Sequence, residues 1–132
     1  MASIINASPT NGIVQTADGS GLLKIQSNSV TTNALAWVNF NGTGTVAIRS
    51  SYNVSSITDN GTGDYTVNFA TPMSDANYAA TYGAEAGATS GNWAFVTGRT
   101  GDQSASSTRI LVKNDAGAAL DSAIVGIAIF GN

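Results

Sequence analysis

Cysteine and histidine are both absent from this chain of 132 residues. Their absence removes disulfide staples, thiolate and imidazole metal sites, cysteine nucleophiles and every histidine-dependent triad. Charge is also scarce, at 10% of residues; Glu85 is the only glutamate, and Lys24 and Lys113 are the only lysines. Such a sequence has little material for amphipathic surface helices. The net charge is −3, and the basic side chains Lys24, Arg49, Arg99, Arg109 and Lys113 are scattered. Nucleic acid is not expected as a partner, because phosphate binding draws on clustered Lys and Arg. No stretch approaches the ~18 consecutive apolar residues of a membrane span, so no membrane insertion is expected. The N-terminus, MASIINASPTNG, has neither a basic n-region nor a long apolar h-region. It predicts no secretory signal and a soluble protein made in a cytoplasm.

What is present favours pleated sheet. Hydrophobic residues make up 42% of the chain, and its length is that of one ordinary domain with a core of its own. Thr, Val and Ile suit strands, and Ser, Thr, Asn, Gly and Ala fill most of the remainder. The fold class read from this is all-β: an antiparallel, jelly-roll-like β-sandwich over residues 34–132, preceded by an extended N-terminal arm over residues 1–33.

The run from Ala36 to Phe69 carries the clearest pattern. It holds two Asn-Gly-Thr-Gly segments, Asn41 to Gly44 and Asn60 to Gly63. Val46, Ile48, Tyr52 and Val54 share one parity, while Ala47, Arg49, Ser51 and Asn53 take the other; Tyr65, Val67 and Phe69 then alternate with Thr66 and Asn68. A period of two places one set on a buried sheet face. Asn-Gly tolerates positive φ and suits type I′ hairpin turns. The expectation is a three-stranded antiparallel meander with Tyr52 in the core.

Beyond it, Ala70 to Asn77 reads as a crossing loop. Strands are expected near Tyr78–Gly83, Trp93–Thr97 and Thr108–Lys113, with Gly98–Ser106 a polar loop and Asn114–Ser122 a turn or short distorted helix. Ala123 to Phe130 (AIVGIAIF) is apolar on both parities. One face belongs inside the sandwich. The other, formed by Ile124, Ala128 and Phe130, is either covered within the monomer or meets another subunit, and the second reading is preferred because few exposed charges keep a monomer apart. In the arm, residues 22–27 suit a short strand. Its apolar pairs Ile4-Ile5 and Ile13-Val14 are read as docking onto a larger assembly, against the plainer alternative of a frayed terminus.

No catalytic residue, metal site or cofactor emerges. The segment DNGTGD, with Asp59 and Asp64, lacks the spacing of a calcium loop and reads as a hairpin turn. No spacing pairs Asp75, Glu85, Asp102, Asp115 or Asp121 as a glycosidase would need. The sequons at Asn6, Asn41, Asn53 and Asn60 follow from composition. Among the aromatics, Trp37 is placed on an outer face, and Trp93, after a Gly-rich stretch, is the candidate for exposure and for stacking on a sugar.

The segments WVNFNGTG (Trp37 to Gly44), SYNVSSITDNGTGDY (Ser51 to Tyr65) and PMSDANY (Pro72 to Tyr78) resemble a module found at the distal ends of tail fibres and tailspikes of tailed bacteriophages. The likeness covers about residues 35–83. It implies a virion surface β-sandwich that associates as a homotrimer. A fibre has a long shaft ahead of its tip, whereas about 33 residues precede the module here. A short arm and a compact head resemble instead a capsid decoration, or cement, protein on the outer capsid surface. That reading makes the major capsid protein the partner, Ile4, Ile5, Ile13 and Val14 the shell contacts, and Ile124, Ala128 and Phe130 the trimer interface. The alternatives are a tail-fibre or tailspike tip that binds host surface glycan near Trp93, and a non-viral carbohydrate-binding module.

Overall fold

A computed structural model describes residues 25–27, 30–85 and 93–131. Among them there is no helix; ten strands make up the regular structure. A small hairpin of β1 (Gln26–Ser27) and β2 (Val30–Thr31) precedes eight longer strands. These are β3 (Ala34–Asn41), β4 (Ala47–Tyr52), β5 (Val54–Gly61), β6 (Asp64–Phe69), β7 (Ala79–Ala84), β8 (Phe95–Gln103), β9 (Ser107–Lys113) and β10 (Val125–Phe130). Sheet I has the order β4-β3-β10-β7 and sheet II the order β5-β6-β9-β8, with antiparallel pairing throughout.

The two sheets share one core. Ala36, Val38 and Phe40 of β3 and Val125, Ile127 and Ile129 of β10 are buried from sheet I. Sheet II contributes Tyr65, Val67 and Phe69 of β6 and Thr108, Ile110 and Val112 of β9. These residues sit at every second position of the two central strands of each sheet, as a period of two requires. Each fully buried large side chain contributes roughly 1.5–3 kcal/mol relative to exposure. Phe40 and Tyr65 meet edge to face across the layers, ring centroids 5.2 Å apart.

The meander is not what forms. β3–β4 is a hairpin of sheet I and β5–β6 a hairpin of sheet II, and the chain changes sheets between them at Asn53. Asn53 has φ 54°, the one positive-φ non-glycine among the described residues. Its side chain supports the corner: Oδ1 accepts from Thr71 N at 2.7 Å, and Nδ2 donates to the carbonyls of Leu35 and Thr71 at 3.1 Å each. Asn tolerates this left-handed conformation better than a β-branched residue. Sequence periodicity reads β4 and β5 as one strand because nothing apolar interrupts the alternation at that corner.

Tyr52 is also displaced from its expected place in the core. Asn39 pairs with Ser50 but Phe40 pairs with Ile48, so Arg49 is an extra residue in β4. The bulge reverses parity: Ile48 lies opposite buried Phe40, whereas Tyr52 lies opposite Trp37 on the outer face. Neither Asn-Gly step is a two-residue I′ tip. Positive φ falls on Gly44, Gly61 and Gly63, and the second hairpin turns at Thr62-Gly63. Gly98–Ser106 is mostly strand, since β8 runs on to Gln103 with a register shift after Gly98. Asn114–Ser122 forms no helix; a Lys113–Ala119 bridge and an Asn114 N to Ala118 O bond of 2.9 Å close it as a loop. The jelly-roll likeness ends at two sheets of four, because three hairpins (β3–β4, β5–β6, β8–β9) stay within one sheet.

Candidate functional site

Two outer faces with opposite character flank the core. Sheet II presents polar side chains in cross-strand rows, Ser56–Asn68–Ser107 and Thr58–Thr66–Arg109. Asn68 Nδ2 donates to Ser56 Oγ and Thr58 Oγ1 at 3.0 Å each, and Asn60 Nδ2 donates to Thr66 Oγ1 at 2.9 Å. Arg109 donates twice to Asp64, Nε to Oδ1 at 2.7 Å and NH2 to Oδ2 at 2.8 Å. Arg99 lies 3.2 Å from Asp102 and 3.7 Å from Asp64, and Arg109 also reaches Asp102 at 3.7 Å. The Arg109 hydrogen bond holds the Asp64 carboxyl below the usual carboxylate range, with the nearby positive charges of Arg109 and Arg99 adding to it. An open cleft of about 320 Å³ beside this network is lined by Thr66, Asp102, Gln103, Ser107 and Arg109. The two Arg and two Asp of the network balance, and each carboxylate is already committed to a guanidinium.

The outer face of sheet I is different. Its rows read Tyr52–Trp37–Ala128–Thr81 and Ser50–Asn39–Gly126–Gly83. Trp37 and Ile124 remain 38% and 37% exposed, and Phe130 is half-buried on the same parity. Gly126 opposite Gly83 leaves a shallow hollow of about 360 Å³, walled by Ile124, Ala128 and Thr81. The described charges on this face are few. In the glycine row, the buried Oδ1 of Asn39 has no hydrogen-bond partner; a shielded acceptor left without a donor costs about 1–3 kcal/mol.

Of the residues singled out in the sequence, Ile124, Ala128 and Phe130 do share this outer face, opposite in direction to buried Val125, Ile127 and Ile129. Trp37 joins them, as its parity requires. Trp93 is 68% exposed, and Phe95, which sequence reading passed over as an ordinary strand residue, is 55% exposed two positions later. Phe95 pairs with Lys113 on the outer side of sheet II. Tyr78 is core: it is 5% exposed, packs edge to face on Phe69 and donates to the carbonyls of Ser104 or Ser107, both 3.0 Å away. Ile4, Ile5, Ile13 and Val14 lie outside the described residues.

A third feature has no signal in any motif. Both Asn-Gly-Thr-Gly segments lie against Leu120–Ser122. Gly42 N donates to Ser122 O at 2.9 Å, Gly63 N donates to Asp121 Oδ1 at 2.7 Å, and Leu120 N donates to Val112 O at 3.0 Å. A Cβ on Gly42 would come within 2.7 Å of the Tyr65 hydroxyl, and one on Gly63 would meet Val112 O, and Leu120 N at 2.8 Å. These glycines are required by close approach of backbones.

The carboxylates of the DNGTGD segment are occupied by the turn itself. Asp59 Oδ1 accepts from Gly61 N at 2.9 Å and Asp64 is held by Arg109. Among the described residues no three Asp or Glu cluster as metal ligands would, and no helix is long and apolar enough to cross a membrane. Comparisons with family models, with curated proteins and with solved structures return no match.

Proposed function

We propose that this chain is a non-catalytic structural subunit of a tailed-bacteriophage virion, a homotrimeric decoration protein that reinforces the outer capsid surface. The observation that carries the reading is the asymmetry of the two outer faces. Apart from Phe95 at the start of β8, sheet II is finished with satisfied hydroxyl, amide and ion-pair contacts suited to water. Sheet I leaves Trp37 and Phe130 on one face with a glycine-floored hollow walled by Ile124 and Ala128, the kind of surface that a second subunit covers. Self-association through that face would bury the apolar residues, with a neighbour's side chain seated over Gly83 and Gly126. Each trimer would then present several arms to the major capsid protein, and the avidity of several weak contacts would oppose internal pressure. The resemblance of Trp37–Gly44, Ser51–Tyr65 and Pro72–Tyr78 to the phage module is what favours a virion location in this reading.

A second reading is favoured by Trp93 and Phe95, which stand exposed close together in sequence at the start of β8. Exposed aromatics next to a hydroxyl- and amide-rich face suit stacking on host surface glycan, as a tail-fibre tip would require. Gold-labelled antibody on intact particles separates the two. Label over the head is expected; label confined to the tail tip sinks the decoration role and makes Trp93→Ala with Phe95→Ala the next experiment on receptor binding.

A further inference from the structure

The tetrapeptide Asn-Gly-Thr-Gly occurs at Asn41 to Gly44 and again at Asn60 to Gly63, and the fold treats the two copies differently. An Asn-Gly step is where asparagine loses its side-chain amide most readily. The glycine nitrogen attacks the asparagine Cγ, and no Cβ on the glycine crowds the approach. In a folded chain the reaction depends on the freedom of the asparagine amide, the space around the glycine and the fate of the glycine N–H proton.

At Asn41 all of these oppose it. Its Oδ1 accepts from Thr43 N at 3.3 Å and from Thr43 Oγ1 at 2.8 Å, while Nδ2 donates to Thr43 O at 2.7 Å. Gly42 is buried, with the Tyr65 hydroxyl 2.7 Å and Ser122 O 2.9 Å from where a Cβ would stand. Its N–H donates to Ser122 O at 2.9 Å, a peptide carbonyl that cannot carry the proton off.

At Asn60 each condition is reversed. Asp59 pairs with Tyr65 and Gly61 with Asp64, so Asn60 is an extra residue in the ladder, and it is exposed. Among the described residues its amide is held through Nδ2 alone, to Thr66 Oγ1 at 2.9 Å and Asp64 Oδ1 at 3.5 Å. No described atom lies within 4 Å of an added Cβ on Gly61. The Gly61 N–H donates to Asp59 Oδ1 at 2.9 Å, and a carboxylate can accept the proton outright.

We propose that Asn60 is a site of spontaneous deamidation with Asp59 as the base, and that Asn41 is shielded from the same reaction. Gly61 N forms a bond to Asn60 Cγ as its proton passes to Asp59. The Cγ–Nδ2 bond breaks, the proton returns through water to Nδ2, and ammonia departs from a cyclic succinimide. Water then opens the ring at either carbonyl, giving aspartate or isoaspartate. Water is consumed, ammonia is released, and nothing is oxidised or reduced. The product replaces a donor to Thr66 and Asp64 with a carboxylate, beside the network in which Arg99 and Arg109 balance Asp64 and Asp102. The new charge falls on sheet II, away from the face proposed for subunit contact, and the inference stands whether or not the virion reading does.

Peptide mapping of the full chain, aged in mildly alkaline buffer, tests it. Tandem mass spectrometry reads Asn41 and Asn60 in separate tryptic peptides, since Arg49 lies between them. Asn60 should convert at least about tenfold faster than Asn41 in the folded protein. In guanidinium, where neither copy is held by the fold, the two rates should come within about threefold of each other. Asp59→Ser, which keeps a hydrogen-bond acceptor but no base, should slow conversion of Asn60 at least about threefold. Equal rates in the folded protein overturn the proposal. So does a difference that persists undiminished in guanidinium, which would give the effect to the flanking sequence instead of the fold. An unchanged Asn60 rate in Asp59→Ser overturns the assignment of Asp59 as the base.

Discussion

The phenol of Tyr65 and the carboxylate of Asp121 meet at 2.7 Å, inside the angle where the two hairpin tips converge. The hydroxyl also lies 2.9 Å from the carbonyl of Gly42, and its single proton serves one acceptor at a time. Tyr65 is wholly buried on β6, Gly42 follows β3 and Asp121 precedes β10. One side chain thereby ties both sheets to the loop between β9 and β10.

Removing that hydroxyl should be costly and should change the response to alkali. Tyr65→Phe leaves the Gly42 carbonyl and Asp121 short of a donor, a loss of about 1–3 kcal/mol. Burial raises the Tyr65 phenol well above its ordinary value of 10.0, and the Asp121 hydrogen bond and charge push the same way. Below the unfolded-state value both states keep the proton and stability is complete. As pH rises past it, the unfolded chain ionises first and stability falls, by up to about 1.4 kcal/mol per pH unit for one group. Burial also raises Tyr78, so the variant keeps part of the slope. Urea midpoints measured between about pH 8 and pH 11 should fall less steeply for Tyr65→Phe than for the parent. Parallel slopes would mean that Tyr65 ionises freely in the folded protein.

The two glycines with φ near +60° should respond very differently to a methyl group. Gly44 (φ 62°) has nothing within 4 Å of an added Cβ, whereas Gly63 (φ 64°) has Val112 O and Leu120 N in the way. Gly44→Ala carries only the left-handed cost of about 1–2 kcal/mol. Gly63→Ala adds the displacement of Leu120–Ser122, roughly 1–3 kcal/mol more. Chemical denaturation of both variants measures the difference, and equal losses would show that the loop yields without resistance.

Asn53 offers a similar separation of backbone from side chain. Asn53→Gly keeps the φ of 54° accessible and loses the three hydrogen bonds to Leu35 and Thr71. Asn53→Ala loses both the bonds and the conformational tolerance. The glycine variant should lose about 1–3 kcal/mol, and the alanine variant about 1 kcal/mol more. Identical losses would place the whole cost in the hydrogen bonds.

These positions also show how much of the fold is legible in the sequence alone. β10 is marked by a run apolar on both parities and the continuation of β8 from Gly98 to Gln103 by nothing in the pattern, but most of the strands follow from alternation, because burial on one side of a strand leaves its mark at every second residue. The outward placement of Trp37, Ile124, Ala128 and Phe130 is legible for the same reason. What parity cannot carry is a residue that resets it. Arg49 reverses the faces within β4, and Asn53 moves the chain to the other sheet without disturbing the apolar pattern, so a meander and an inward Tyr52 were the natural expectations. The Asn-Gly-Thr-Gly segments were visible as turns, but their glycines answer to Tyr65, Val112 and Leu120, contacts remote in sequence. Phe95 stood in a run that reads as strand on either face, and its exposure depends on which of its sides sheet II presents.

The outer face of sheet I makes the most direct demand on the functional reading. Thr81 and Ile124 wall the hollow over Gly83 and Gly126, and both side chains reach solvent in the single subunit. Lysines at these two places would set like charges of neighbouring subunits against each other in a desolvated contact, while in the isolated fold the longer side chains can extend into water. Thr58→Lys, on the outer face of sheet II, is the matched control. In sedimentation equilibrium the parent and Thr58→Lys should be trimers, and the Thr81→Lys, Ile124→Lys double variant a monomer. Its near-ultraviolet dichroism should stay that of the parent, as expected for surface changes that spare the core. A trimeric double variant would move the subunit contact off this face, and a monomeric parent would remove self-association from the account altogether.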